Sequence, residues 1–250
     1  MILDEFLLHG QTALVTGAAS PSGHAIVSAL SEAGADIIAV ADTNTSLDTA
    51  KNLVNQNNKR IITINGNLQD EDSVKEIVKN ALSEFSKIDI LVNNEQISFS
   101  KPLMDISFDD WRKVVDTNLS TAFLFCKSVG SHMIENQQGK IVNVASGMGE
   151  RGLENSSSYS TTMAGIIQLT SALSVEWGPH GIKVNAAGPV WFNQEDGQED
   201  ADDPVLRYIP MRRKGNWHEL GRMVLFLACD GCHFLTGKTI FLDGGVLSHA

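Results

Sequence analysis

The chain has 250 residues, 42% of them hydrophobic, and a net charge of -11; that supplies one full core but not two independent ones, so a single domain over 1–250 is expected. The negative charge repels phosphate backbones and anionic lipid heads, and only Arg212-Arg213-Lys214 runs against it, which argues against nucleic acid and membrane surfaces as partners. No apolar run approaches the ~18 residues of a membrane span, and MILDEFLLHG carries acids where a signal peptide needs bases, so a cytoplasmic protein is expected.

Strand-length apolar runs recur along the chain with helical stretches between them. They are TALVT at 12–16, DIIAVAD at 36–42, RIITIN at 60–65, IDILVNN at 88–94, KIVNVAS at 140–146, IKVNAAG at 182–188 and KTIFLDGG at 238–245. The segments between them, such as HAIVSALSEAG and DSVKEIVKNALSEF, repeat apolar residues at i, i+3, i+4 and i+7, the spacing of an amphipathic helix. Strict alternation of strand and helix predicts an α/β fold, a doubly wound seven-stranded parallel sheet of Rossmann type flanked by helices. Ligands of such sheets bind beyond the carboxyl ends of the strands. Those ends read Thr16-Gly17, Asp42, Asn67, Asn93-Asn94, Ser146 and Gly188-Pro189, polar or small residues that suit a nucleotide crevice and also suit ordinary turns.

Three cysteines, Cys126, Cys229 and Cys232, are too few for a disulfide framework. Cys229-Asp-Gly-Cys232 follows the apolar helical run ending at Leu227, the negative end of a helix dipole, where a thiolate is not favoured. No metal site is expected, because one such pair supplies two of the four ligands a structural zinc needs.

LVTGA at 14–18, ILVNN at 90–94, Asn118 in DTNLSTAF, IVNVAS at 141–146, Tyr159 thirteen residues after Ser146, KVNAAGP at 183–189 and the closing TGKTIFLDGG together resemble the short-chain dehydrogenase/reductase family over nearly the whole chain. The opening MILDEF followed by L-x-G is similar to the gluconate and deoxygluconate dehydrogenase branch. The resemblance implies an NAD(P) crevice, a small alcohol or carbonyl substrate, and a homo-oligomer, a tetramer or dimer, built on the helices carrying Asn118 and Tyr159. It also implies a substrate-covering loop and helix at about 190–215.

The family's four catalytic positions fall here on Asn118, Ser146, Tyr159 and Met163, the last being lysine in the family. That lysine lowers the tyrosine pKa from ~10 and donates to the nicotinamide ribose; a thioether does neither. Between Arg151 and Lys183 there is no Lys or Arg to replace it, and Met163 is expected simply to pack. The resemblance places cofactor contacts on Gly17, Ser20, Gly23, Asp42, Asn67, Asn93 and Pro189. Asp42 ends the second strand where an acid holds the adenosine ribose, so a bound dinucleotide is expected to be NAD(H).

The cofactor motifs are themselves altered. The middle glycine of the phosphate loop is Pro21, which deletes an N–H but is comfortable in a first helical turn. Asn-Asn-Ala-Gly is replaced by Asn93-Asn94-Glu95-Gln96, Pro-Gly by Pro189-Val190, and Gln194 stands where threonine is frequent. The acids Glu195, Asp196, Glu199, Asp200, Asp202 and Asp203 read as a solvated loop, or, folded over the crevice, as one that favours a neutral or cationic ligand or a protein partner. Ser156-Ser157-Ser158 is expected to cap the Tyr159 helix; Trp191 and Phe192 either wall a pocket or cover the core edge. Three readings follow: a dehydrogenase scaffold with hydride transfer weakened or lost, an active NAD-dependent enzyme using Ser146 and Tyr159 without the lysine, and a ligand-binding module or partner subunit beside an active relative.

Overall fold

The computed structural model describes residues 2–194 and 202–248. Seven parallel strands form one sheet in the order β3-β2-β1-β4-β5-β6-β7. They are β1 (Thr12–Val15), β2 (Asp36–Asp42), β3 (Ile61–Gly66), β4 (Ile90–Asn93), β5 (Gly139–Val144), β6 (Ile182–Pro189) and β7 (Thr239–Leu242). The helices between them are α1 (Pro21–Glu32), α2 (Asp48–Gln56), α3 (Glu71–Phe85), α4 (Phe108–Val115), α5 (Thr121–Asn136), α6 (Ser157–Trp177) and α7 (Trp217–Ala228).

The period-two alternation of the strands divides the core between two faces. In β2, Ile37, Ala39 and Ala41 join a cluster with Ile26 and Leu30 of α1 and Leu220 and Val224 of α7. Ile38 and Val40 join the opposite cluster with Ile77 of α3 and Phe125 and Val129 of α5. Because both faces are covered, the strands read as continuous apolar runs rather than alternating ones.

Four strands, β1, β4, β5 and β7, stop short of the apolar runs that encode them. Asn94 leaves the β4 ladder because its N–H is taken by the Thr16 hydroxyl at 3.0 Å. Beyond β7, the Asp243 carboxylate accepts the N–H groups of Gly245 and Leu247, at 2.9 and 2.6 Å, and turns the chain.

Local chemistry fixes the helix starts. Ser20 is the N-cap of α1, accepting the Gly23 N–H at 3.1 Å, and Pro21 stands in the first turn, the placement expected to be comfortable for it. Asn216 and Glu219 form a reciprocal capping box at α7. The serine cluster before α6 departs from expectation. Ser156 is the N-cap residue, but its hydroxyl donates to Leu153 C=O at 2.7 Å and pairs with Ser160, so no helix N–H is capped by it.

Candidate functional site

The carboxyl ends of β1, β4, β5 and β6 border a cleft of about 670 Å³. Gly17 and Ser20 close it from the β1–α1 turn, Asn94, Glu95 and Gln96 from the segment after β4, Ser146 from β5, Tyr159 from α6, and Pro189 with Trp191 from the end of β6. Of the sequence-derived candidates, Gly17, Ser20, Ser146, Tyr159 and Pro189 meet here. Gly23, Asp42, Asn67, Asn93, Asn118 and Met163 are not among its walls.

The residues outside the walls have identifiable structural work. Gly23 passes so close to the preceding turn that a Cβ would stand 2.2 Å from Gly17 C=O. Gly17 has φ +60°, and a Cβ there would meet the Asn94 carbonyl at 2.7 Å. These two glycines are therefore demanded by the fold whatever the cleft holds, whereas Pro21 occupies a helical position that any φ near -65° satisfies. Asn93 donates to Asn143 at 2.8 Å and lies 3.2 Å from the Cys126 sulfur, inside the core. Asn67 accepts the Gln69 N–H at 3.0 Å, and Asp42 the Thr43 N–H at 2.8 Å, both on exposed turns.

Asn118 lies on a single π-helical turn, Asp116–Ser120, between α4 and α5. Its amide clasps Ile97 from both sides, accepting the N–H at 2.8 Å and donating to the C=O at 3.0 Å, and donates to Thr162 at 3.2 Å. It thereby ties the segment after β4 to α6, one turn from Tyr159.

Met163 is completely buried. Its backbone passes close to the short helix after β5: a Cβ on Gly149 would come within 2.7 Å of the Met163 carbonyl carbon. No lysine or arginine is among the described residues lining the cleft, and Arg151, the nearest cation in sequence, bonds Val246 C=O at 3.3 Å. Tyr159 instead donates its hydroxyl to the Gln96 side chain at 3.3 Å. Burial raises its phenol above the usual value, against a smaller opposing effect of the nearby Ser146 hydroxyl. The tyrosine is a neutral donor at physiological pH.

Ser146 is also engaged, donating to Pro189 C=O and accepting the Met148 N–H, each at 3.3 Å. Glu95 is half-buried, and no described residue hydrogen-bonds its carboxylate or forms an ion pair with it. Burial raises its pKa, and the negative charge of Asp42 raises it further. Glu95 thus stands near the acid that ends β2, while Gln96 reaches the Tyr159 hydroxyl at the other side of the cleft.

Trp191 lines the cleft with φ +53°, a left-handed conformation uncommon for a bulky residue. Phe192 does both things foreseen for it, lining the cleft and packing on the core, with its ring 5.0 Å from that of Trp217. Phe99 and Trp217 complete the aromatic wall. Sequence reading missed these two and the Gln96–Tyr159 bond, since no local pattern relates segments so far apart.

Glu195, Asp196, Glu199 and Asp200 lie outside the described residues. Asp203 is no free loop acid: it caps Val205 N–H at 2.9 Å and pairs with Lys214. The basic run is likewise used internally. Arg212 donates to Arg207 C=O, and Arg213 holds Glu219 through two bonds of 2.9 and 2.7 Å. Cys229 caps the C-terminus of α7 and lies 3.2 Å from Phe226 C=O; burial raises the pKa of both Cys229 and Cys232.

With this geometry in hand, the comparison with known proteins is specific. A family model described as enoyl-(acyl carrier protein) reductase matches residues 17–247. The chain is 33% identical over 242 residues to the 3-oxoacyl-[acyl-carrier-protein] reductase of Synechocystis sp., covering 96% of this chain and 98% of that one. The chain belongs to the short-chain dehydrogenase/reductase family. It is 32% identical over 250 residues, 98% of either chain, to the 2-dehydro-3-deoxy-D-gluconate 5-dehydrogenase of Bacillus subtilis. The solved gluconate 5-dehydrogenase from Burkholderia cenocepacia in complex with NADP and tartrate superposes with a TM-score of 0.91 at 29% identity, over all of both chains. The sugar-acid dehydrogenase likeness of the opening segment is thus matched by relatives of full length. No helix among the described residues of this short-chain dehydrogenase/reductase is long and apolar enough to cross a membrane.

Proposed function

We propose that this member of the short-chain dehydrogenase/reductase family retains the scaffold and its cleft but has weak or no NAD(P)-dependent hydride transfer. The observation that carries this reading is Met163, wholly buried at the lysine position, beside a cleft with no lysine or arginine among its described walls. Acid–base work on an alcohol asks for a tyrosine that ionises near the working pH, and Tyr159 is shifted the opposite way. The cofactor side supports the same reading. A dinucleotide diphosphate needs N–H donors at a helix N-terminus; Pro21 has none, Ser20 already caps α1, and the Glu95 carboxylate adds negative charge. The residues present do not fit the group well.

A second reading, an NAD-dependent enzyme without the lysine, is favoured by Ser146 and Tyr159 sharing the cleft. In that case a neutral phenol polarises an activated carbonyl, and Asp42 selects NAD over NADP. Exposed Phe108 on α4, Phe123 on α5 and Val175 on α6 support assembly as a homo-oligomer, or with a related subunit, through those helices.

Calorimetric titration of nucleotide-free protein with NADH and NADPH tests the proposal. The expected result is no heat of binding at millimolar nucleotide. Tight binding of NADH, with alcohol or ketone turnover abolished by Tyr159→Phe, would establish the second reading in its place.

A further inference from the structure

What remains of the cleft once a dinucleotide is set aside is chemically one-sided. Its described walls carry a carboxylate, several amide and hydroxyl oxygens, aromatic rings and no cationic side chain. One acceptor in it has no donor: the Glu95 carboxylate has no hydrogen-bond or ion-pair partner among the described residues. A half-buried acceptor without a partner is costly, and a ligand N–H removes that cost.

The other half of the wall is aromatic. Phe99, Tyr159, Trp191 and Trp217 come from four separate segments and meet on the same cleft. Trp191 is held there by a backbone conformation that a large side chain rarely adopts. Ring faces attract cations, most strongly when water is excluded, and a carboxylate opposite them is the usual complement of an organic ammonium.

We propose that this cleft binds an organic cation, a primary or substituted ammonium set against Glu95 with its apolar body among the aromatic side chains. The inference rests on the reading that the cleft no longer holds a dinucleotide. It assigns the site a ligand class opposite in charge to the sugar acids of the relatives. The acid at the end of β2, Asp42, adds to the same field without touching the cleft.

The test uses three probes of like size and different charge: phenethylammonium, phenethyl alcohol and 3-phenylpropanoate, titrated calorimetrically into the full chain at pH 7.5 and moderate salt. Phenethylammonium is expected to bind at least tenfold more tightly than the alcohol, with the carboxylate showing no binding. Glu95→Gln is expected to remove the preference for the ammonium while leaving alcohol binding within about twofold. Trp191→Ala should weaken both the ammonium and the alcohol, and thermal unfolding of each variant confirms that it folds. Equal affinities for ammonium and alcohol, no ammonium binding up to 20 mM, or an unchanged preference in Glu95→Gln would each overturn the proposal. NADH titrated in parallel separates the two ideas. NADH binding defeats the loss-of-cofactor reading, whereas silence from both NADH and the ammonium defeats only the cation assignment.

Discussion

Replacing a lysine by methionine at position 163 removes a charge without opening a hole, because the unbranched thioether fills the space and is fully buried. The consequence is felt one helical turn away, at a phenol that burial keeps protonated. Met163→Lys is therefore expected to lower the Tyr159 pKa, read as tyrosinate absorbance on alkaline titration, with Tyr159→Phe identifying the signal. Placing an ammonium in that buried site should lower stability by roughly several kcal/mol. No change in the titration would show that the lysine alone does not rebuild the acid–base pair.

Glu95 gives a pH signature with a definite sign. Its folded pKa is raised, so below the ordinary carboxylate range it is neutral in both states and contributes nothing adverse. As pH rises through the unfolded value, the unfolded chain ionises freely while the folded one resists, and stability falls. Glu95→Gln should then raise Tm at pH 7. At pH 4 the difference should be much smaller. A Tm gain independent of pH would point to packing rather than charge.

At the scale of elements, the cleft depends on how the segment after β4 is held against α6. Asn118 makes that connection with three hydrogen bonds from one π-helical turn. Asn118→Ala leaves the Ile97 groups without those partners and should cost about 2–3 kcal/mol in urea unfolding. The start of α7 is similarly tied by the Arg213–Glu219 pair, which holds the Glu219 carboxyl at about 2. Because the pair is roughly a third exposed, its worth is about 0.5–1 kcal/mol after screening. That stability is fully present above the unfolded value of 4.5 and is lost as pH falls toward 2. Glu219→Gln should therefore be less stable than the wild-type chain at pH 7, with the difference shrinking below pH 4.5 and vanishing only below about pH 2.

For the molecule as a whole, Cys126, Cys229 and Cys232 are buried, and burial raises all three thiols, Cys126 to about 12. Reaction with a disulfide-exchange reagent at pH 8 should be slow in the native protein and complete on unfolding. Rapid modification of Cys229 or Cys232 in the folded chain would show local opening at the end of α7.

The fold was legible because its determinants are local and repeated. Apolar runs of strand length, helical periodicity and the Gly17–Gly23 turn each follow from short-range sterics and burial, and they sum to one topology. The loss of lysine at 163 and of glycine at 21 was equally plain in the linear chain. What the sequence could not supply is the pairing of distant segments. Gln96 meets Tyr159, Asn118 clasps Ile97, and Phe99 and Trp217 face the same cleft only because the sheet order brings their loops together. Side-chain capping by Ser156 failed as an expectation for a local reason: its hydroxyl donates to Leu153 C=O and pairs with Ser160 instead of taking a helix N–H. Composition and periodicity determine which surfaces must be buried; the tertiary structure alone decides which polar groups then find partners, and which, like the Glu95 carboxylate and Asn94 Oδ1, are left without them among the described residues.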